Sequence, residues 1–341
     1  MAGMKIGRLS WELQAVILIF SLGVSAAAAA AGVRRVDVHT HFVPPFYREI
    51  ITARNLTSGG TQVPEWNETT HLGIMAKYNV ETSILSISPP SVTFFSHDEA
   101  AERRSLARSL NEYAYNLSLR HPGKFQFAAT LPLPDVEGAM AEAVYALDSL
   151  DAAAILLLGN SNGMYLGNPK LDPLMEVINA RNAVVLLHPN VLPGDPDETG
   201  LPSAVLDFLL DTTRAATNLV VKNVTRKYPN IKYVLSHSGG FMPYASGRMS
   251  LLFSEIMPNT TPDDFIRLLK NFYVDFGYVG KSTIPSALDF VHHDQIVFGS
   301  DWPAQPKGLE YVSGVLDSAL KNGKLKYDIN YGNAAKLFKL S

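Results

Sequence analysis

The sequence contains no cysteine among its 341 residues. Disulfide bonds and metal sites built on thiolates are therefore excluded. The sequence also lacks a basic stripe, because 29 basic and 32 acidic residues are interspersed and give a net charge of −3. We therefore expect no nucleic-acid partner. No internal repeat and no linker divides the chain, so residues 32–341 are predicted to form one domain.

The first 31 residues have the pattern of a secretory signal peptide. Lys5 and Arg8 precede an apolar stretch over 15–24, and a run of small residues follows. A signal anchor is the alternative, because apolar and small residues continue to Val33 and nearly reach the length of a membrane span. The apolar part is short and then mostly alanine, which favours cleavage near 29–32 and no stable membrane insertion. We expect a protein of the secretory pathway, either secreted or in an endomembrane or vacuolar lumen.

Asn-x-Ser/Thr triplets would permit glycosylation in that compartment, although such triplets also arise by chance. They begin at Asn55, Asn67, Asn116, Asn223 and Asn259.

Eight short apolar segments have the composition of buried parallel strands. Four of them read VRRVDVHTHF, AVVLLHP, IKYVLSHSGG and QIVFGSDWP, and the other four occupy 81–88, 125–132, 153–159 and 271–277. Segments of helical composition lie between them, for example 97–120, 135–150, 171–181 and 308–323. This alternation predicts an α/β fold, a (β/α)8 TIM barrel. The stretch 42–79 shows no clear barrel element and is predicted to be an inserted loop or lid after the first strand.

Five side chains suited to metal chemistry lie at or just past the ends of four predicted strands. They are His39, His41, His188, His237 and Asp301. The carboxyl ends of the strands of such a barrel open onto one face, so these side chains are expected to meet there. Imidazole and carboxylate groups together suit zinc and other divalent ions. The other histidines, including His71, are expected to be surface or capping residues.

The motifs VDVHTHF, HP, SHSGGFMPYASGR and FGSDWP occur in this order, and together they resemble the amidohydrolase superfamily. The resemblance runs from Val36 to the C-terminus. It is strongest to the branch of aminocarboxymuconate-semialdehyde decarboxylase and related aromatic-acid decarboxylases. The opening THFVPPFYRE is most similar to the fungal 6-methylsalicylate decarboxylase group.

The resemblance implies that one divalent ion, Zn²⁺ or Mn²⁺, is held by His39, His41, His188 and Asp301. It also implies that His237 acts as an acid/base and orienting residue, and that the protein is a homodimer. Many hydrolases of the superfamily bridge two metals with a Lys or Glu at the fourth strand. Here that strand reads ILLLGNSNG and offers neither, so a single metal is expected.

The implied reaction is the non-oxidative decarboxylation of a salicylate-type aromatic acid. The foremost candidate is conversion of 6-methylsalicylate to m-cresol and carbon dioxide in fungal polyketide metabolism. Asp301 is the candidate proton donor to the ring carbon, and His237 would stabilise the developing charge. No organic cofactor is needed, because the oxidation level of the ring does not change.

Substrate contacts are harder to assign. Of the aromatic residues after strands one, two, seven and eight, Phe95 and Trp302 are the preferred candidates to line the ring pocket. Arg248 is predicted either to bind the substrate carboxylate or to anchor a loop. Asp275 is expected to orient a metal-binding histidine.

Three alternatives remain open on the sequence. The substrate could be orsellinate or a dihydroxybenzoate, since one or two side chains read such ring substituents. The enzyme could instead hydrolyse a lactone or amide, with Asp301 as base. A different class of function is a non-catalytic secreted barrel that binds ligands, and the complete set of ligand-type residues argues against it.

Overall fold

The computed structural model describes residues 32–194, 200–257 and 259–340, so the predicted signal peptide at 1–31 lies outside the described residues. Eight parallel strands form one sheet in the order of the sequence. They are β1 Arg35–His41, β2 Val80–Ser86, β3 Phe125–Thr130, β4 Ala154–Leu158, β5 Val184–His188, β6 Lys232–Leu235, β7 Tyr273–Asp275 and β8 Ile296–Val297. A short antiparallel hairpin, Asn160–Ser161 with Met164–Tyr165, follows β4.

Hydrogen bonds between β1 and the segment that begins with β8 close the sheet into a barrel. The amide of Val38 donates to Phe298 O at 3.0 Å, and the amide of His41 donates to Trp302 O at 2.8 Å. Between them, Ser300 donates from its amide to His39 O at 3.1 Å. We call this junction of first and last strand the seam. Closure confirms the predicted TIM barrel.

Helices pack around the barrel. They are α1 Pro45–Ala53, α2 Glu68–Lys77, α3 Ala100–Arg120, α4 Val136–Asp148, α5 Asp172–Ala180, α6 Asp207–Val221, α7 Val224–Lys227, α8 Met242–Ile256, α9 Pro262–Leu269, α10 Thr283–Phe290, α11 Gly308–Ala319, α12 Gly323–Tyr327 and α13 Asn333–Leu337. In α3 the apolar residues Leu106, Leu110, Ala114 and Leu117 recur every three or four positions and are all buried. This spacing places one face of the helix against the strands.

Two apolar clusters make the core. One fills the barrel with side chains from the strands, such as Val36, Ile84 and Leu186, and includes Tyr331 and Phe338 from the C-terminal segment. The other lies between the strands and the surrounding helices. Within the described ranges, no helix combines the length and apolarity that a bilayer crossing requires.

The prediction of an inserted loop over 42–79 is wrong for the half of that stretch that is helical, and the connection at 54–66 is a loop as predicted. The segment contains α1 and α2, and α2 is the helix that packs beside β2. Pro45 opens α1, and the side chain of Asn67 caps α2 by accepting from Thr70 N at 2.8 Å. Both helices have recognisable start signals in the sequence. The many Gly, Thr, Asn and Pro residues of the connection at 54–66 nevertheless favour a loop over the whole stretch.

The surface position expected for His71 is also wrong. Its side chain is buried with 2% exposure, and Trp66 Nε1 donates to its Nδ1 at 3.0 Å. The ring lies 4.7 Å from that of Trp302. His71 therefore belongs to the core between α2 and the seam.

Candidate metal centre

Four side chains meet at the carboxyl end of the barrel. His39 and His41 lie at the carboxyl end of β1, His188 ends β5, and Asp301 follows β8. All four are buried, and one possible ligand atom from each lies within 4.8 Å of the others. The parallel strands thus bring together His39 and Asp301, which are 262 positions apart in the chain.

A hydrogen-bond partner holds the Nδ1 atom of each histidine. His39 Nδ1 lies 2.9 Å from Asp275 Oδ2, and His41 Nδ1 lies 3.1 Å from Ser86 Oγ. His188 Nδ1 donates to Pro189 O at 2.8 Å. These partners can each accept a hydrogen bond from Nδ1, so that with an ion bound each ring would present the lone pair of Nε2, as in metal-ligating histidines. The hydrogen bond expected between Asp275 and a histidine of the site is confirmed.

The donor atoms fit a divalent cation. His39 Nε2 is buried and has no hydrogen-bond partner among the described residues. It lies 3.3 Å from Asp301 Oδ1, and His41 Nε2 lies 2.8 Å from the same oxygen. Three imidazole nitrogens and one carboxylate oxygen form a donor set that zinc and manganese accept. A bound ion would give the buried nitrogen of His39 the partner that it lacks among the described residues.

His237 lies beside this cluster at the mouth of the barrel. Its Nε2 is 3.1 Å from Asp301 Oδ2, and its backbone amide donates to Asp275 Oδ1 at 3.0 Å. His237 and Asp301 both adopt the left-handed backbone region, with φ of 55° each. Such backbone is costly for residues other than glycine and recurs at functional sites. Here the amide bonds to Asp275 and to His39 O hold the two residues in place.

Burial and charge set the protonation of the cluster. Burial alone would raise the pKa of the Asp301 carboxyl, but the charge of His39 and hydrogen bonds from His237 and His41 hold it well below its ordinary value. Burial holds the pKa of His188 well below its ordinary value, and the neighbouring histidines add to this effect. Asp301 is therefore an anion and His188 a neutral imidazole, the forms that bind a metal.

A cavity of about 770 Å³ opens above the cluster, and His188, His237 and Asp301 form part of its wall. Phe208 and Tyr278 flank these residues, with the Phe208 ring 6.0 Å from that of His188 and the Tyr278 ring parallel to that of His237 at 6.1 Å. Hydroxyl groups line another part of the cavity, at Ser58, Thr61, Ser88, Ser282, Thr283 and Ser286. The cavity thus offers an aromatic wall beside the metal cluster and a polar wall near it.

The three predicted substrate contacts lie elsewhere. Phe95 is buried against Phe94, with ring centroids 4.4 Å apart, and lines a separate groove between α1 and α3. The ring of Trp302 packs against His71. Arg248 is exposed on α8. None of these three is among the residues that line the cavity above the cluster.

The sequence did not single out the aromatic residues Tyr278 and Phe208 or the hydroxyl residues Ser58 and Thr61 as part of the cavity. Tyr278 was among the aromatic candidates but was not preferred, and its position directly after β7 was the available signal. Phe208 lies in α6, beyond a long connection after β5, and no local pattern singled it out. Ser58 and Thr61 lie in the 54–66 connection, which folds back over the barrel mouth.

The sequence and the fold are similar to those of known proteins. The family model described as Amidohydrolase matches residues 36–340. The chain is 33% identical to the decarboxylase macB of Penicillium terrestre, over 89% of this chain and 94% of that protein. It is 28% identical to the 6-methylsalicylic acid decarboxylase of Penicillium expansum, over 89% of this chain and 96% of that protein. The crystal structure of an amidohydrolase II, a structural genomics target, superposes with a TM-score of 0.82 at 29% identity, covering 89% of this chain and 99% of that one.

Proposed function

Because this chain belongs to the amidohydrolase family, and within it to the branch of aromatic-acid decarboxylases, we propose that its substrate is 6-methylsalicylate and its products are m-cresol and carbon dioxide. Its relatives show that the chain is a carboxy-lyase for salicylate-type acids. The buried His3Asp cluster with His237 beside it, open to a cavity with an aromatic wall, supports this reaction class. The proposal of 6-methylsalicylate itself is supported by the similarity to a 6-methylsalicylic acid decarboxylase.

His39, His41, His188 and Asp301 would hold one divalent ion. When bound, that ion supplies a positive charge that fixes the carboxylate and the ortho hydroxyl of the substrate and polarises the phenol oxygen. Zinc and manganese both suit the donor set, and the metal content of the purified protein decides between them.

Asp301 and His237 are the residues that move the proton. Decarboxylation forms a C–H bond and breaks the bond between the same ring carbon and the carboxylate, so one proton enters as carbon dioxide leaves. Asp301 Oδ2 is 3.1 Å from His237 Nε2, which is close enough for His237 to supply that proton to the carboxyl. Asp301 then passes it to the ring carbon, and His237 recovers a proton from the cavity.

The remaining wall orients the ring. Tyr278 holds the backbone of Asp301 through a hydrogen bond from its hydroxyl to Asp301 O at 3.3 Å, and its ring stacks parallel to His237. Phe208 is 6% exposed and lies against His188 on another side. An aromatic acid would lie between apolar faces with its carboxylate toward the cluster.

The experiment is to measure bound metal and to incubate the metal-loaded protein with 6-methylsalicylate while following m-cresol and carbon dioxide. We expect one metal per chain and turnover that a chelator abolishes and divalent metal restores. Asp301→Asn should lower kcat by about 10²–10⁴-fold, the usual contribution of a positioned acid. The exposed Asp263→Asn is the matched control.

Two outcomes would contradict the proposal. Metal-loaded wild-type protein that forms no m-cresol would exclude 6-methylsalicylate and move attention to orsellinate and dihydroxybenzoates. Near-normal turnover by Asp301→Asn with its metal still bound would exclude Asp301 as the proton donor.

A further inference from the structure

A second, much smaller cavity adjoins the main one. It measures about 20 Å³, and His41 of the metal cluster forms part of its wall. Ser58, Thr61, Ser88 and Ala304 line both cavities, so the small one is a side chamber of the large one. We call it the side cavity. Its volume is that of one methyl group or one water molecule.

Apolar groups make most of the wall of the side cavity. Phe42, Val43 and Tyr47 are 2–4% exposed and belong to the core, and Val63 and Pro89 complete this wall. They come from the segment after β1 and from the segment after β2. The chamber is therefore built on packed core residues, which limits how far it can widen.

The hydroxyl groups of the side cavity already have partners within the protein. Ser58 Oγ lies 3.1 Å from Ser88 Oγ, Thr61 Oγ1 donates to Ser58 O at 2.7 Å, and the Tyr47 hydroxyl donates to Ser91 O at 3.0 Å. The lining also includes Gln62, whose side chain lies in an exposed stretch. A hydroxyl substituent would have to share oxygens that already have partners and would give up part of its hydration among mainly apolar groups. A methyl group would meet neither cost.

We propose that the side cavity receives the ring substituent ortho to the substrate carboxylate and selects methyl over hydroxyl at that position. This inference rests on the proposed function, because it assumes that the carboxylate of the ring faces the metal cluster. His41 belongs both to the cluster and to the wall of the chamber, so an ortho substituent is the part of the ring nearest to it. Val63 lines the side cavity but not the main cavity, which makes it the residue to vary.

The test measures binding of stable analogues to the metal-loaded protein by calorimetry. In 2-nitrophenol, 3-methyl-2-nitrophenol and 2-nitroresorcinol, a nitro group replaces the carboxylate and cannot leave as carbon dioxide. We expect the wild-type protein to bind the methyl analogue about tenfold more tightly than 2-nitrophenol and than 2-nitroresorcinol, the scale of one well-placed methyl group.

Variants at residue 63 should move this preference in opposite directions. Val63→Ile adds one methylene to the chamber and should bring the affinity ratio of methyl to unsubstituted analogue close to one. Val63→Ala should shift the preference toward 3-ethyl-2-nitrophenol. Val177→Ile, at a half-buried valine on α5 that lines neither cavity, is the matched control and should leave the ratio unchanged.

The outcomes separate this inference from the proposed function. An affinity ratio that Val63→Ile and Val63→Ala leave as in the wild type, or a preference for 2-nitroresorcinol, would overturn the role of the side cavity. Turnover of 6-methylsalicylate in the same samples tests the proposed function separately, since m-cresol can form whatever the ratio is. Failure of every analogue to bind would overturn the role of the side cavity, and absence of m-cresol would overturn the proposed function.

Discussion

Asp275 acts on the metal cluster through other residues. One of its oxygens accepts from the amides of His237 and Gly277, and the other lies 2.9 Å from His39 Nδ1. Burial alone would raise the pKa of this carboxyl, but the charge of His39 and its hydrogen bond lower it. The anion therefore fixes both the tautomer of His39 and the backbone of His237.

We expect Asp275→Asn to weaken metal binding by about 10- to 100-fold, because the amide no longer stabilises the Nδ1–H form of His39 as strongly. Competition with a chromogenic chelator measures this loss directly. The exposed Asp289→Asn on α10 is the control. An unchanged metal affinity in Asp275→Asn would show that His39 keeps its orientation without this partner.

A buried histidine outside the cluster gives a pH-dependent stability. Burial lowers the pKa of His71 to about 3, so the folded protein keeps this ring neutral while the unfolded chain takes up a proton below its ordinary pKa of 6.5. Stability from His71 is thus present above pH 6.5 and is lost as the pH falls from there toward 3. Between pH 7 and 5.5 the loss amounts to about 1 kcal/mol.

His71→Gln should show a weaker fall in the free energy of unfolding between pH 7 and 5.5 than the wild type, measured by urea titration at each pH. His97→Gln, at a fully exposed histidine, should follow the wild-type slope. Equal slopes in His71→Gln and the wild type would mean that the buried ring contributes nothing to the pH dependence.

At the scale of elements, α6 fixes the loops that follow β4 and β5. Asp211 is fully buried in α6, and its two oxygens accept from Asn160 Nδ2 and Asn190 N, each at 2.9 Å. Asn190 comes directly after Pro189, whose carbonyl accepts from His188. A Cβ at Gly159 would lie 2.2 Å from Asp211 Oδ2, so glycine is required where β4 ends.

We expect Asp211→Asn to lower the free energy of unfolding by about 2 kcal/mol, because its amide faces donor groups that then lose an acceptor. Chemical denaturation measures the change, and Asp207→Asn at the half-buried start of the same helix is the control. A loss no larger than that of Asp207→Asn would show that the two loops hold their positions without this carboxylate.

Much of this arrangement could be predicted from the sequence. Apolar runs alternating with helical segments fixed the barrel, and ligand-type residues at strand ends then had to meet. The substrate contacts could not be placed in this way, because the direction of a side chain after a strand depends on local backbone. Trp302 follows Asp301 with its left-handed φ, and its ring turns to His71 instead of the cavity. Phe208 lines the cavity from α6, and a search for functional residues at strand ends does not consider residues in helices.

For the whole molecule, the accessibility of the sequon asparagines bears on the compartment predicted from the N-terminal segment. Asn55, Asn67, Asn116, Asn223 and Asn259 are all exposed, and none lines the cavity above the cluster. A glycan at any of them would lie on the outer surface. The fold therefore leaves room for a glycan at each of these five asparagines.

We expect the full-length chain, expressed in a fungal host, to begin near residues 29–32 after processing and to lose mass on treatment with an N-glycosidase. N-terminal sequencing and a gel shift measure the two events. A variant with all five asparagines changed to glutamine should show no shift. An intact N-terminus on an unglycosylated cytosolic chain would contradict the prediction.

The seam has a consequence for synthesis on the ribosome. Asp37 of β1 accepts from the amide of Ser300 at 3.0 Å and from its hydroxyl at 2.5 Å, and His39 O accepts from the amides of Ser300 and Asp301. The first strand, β1, thus obtains these hydrogen bonds only after the residues that follow β8 have been synthesised. Asp301, the fourth donor of the cluster, is also synthesised after all three histidines. A nascent chain released before residue 301 would lack both the closed barrel and a complete metal site. Binding of the metal by all four donors therefore requires synthesis to have passed residue 301.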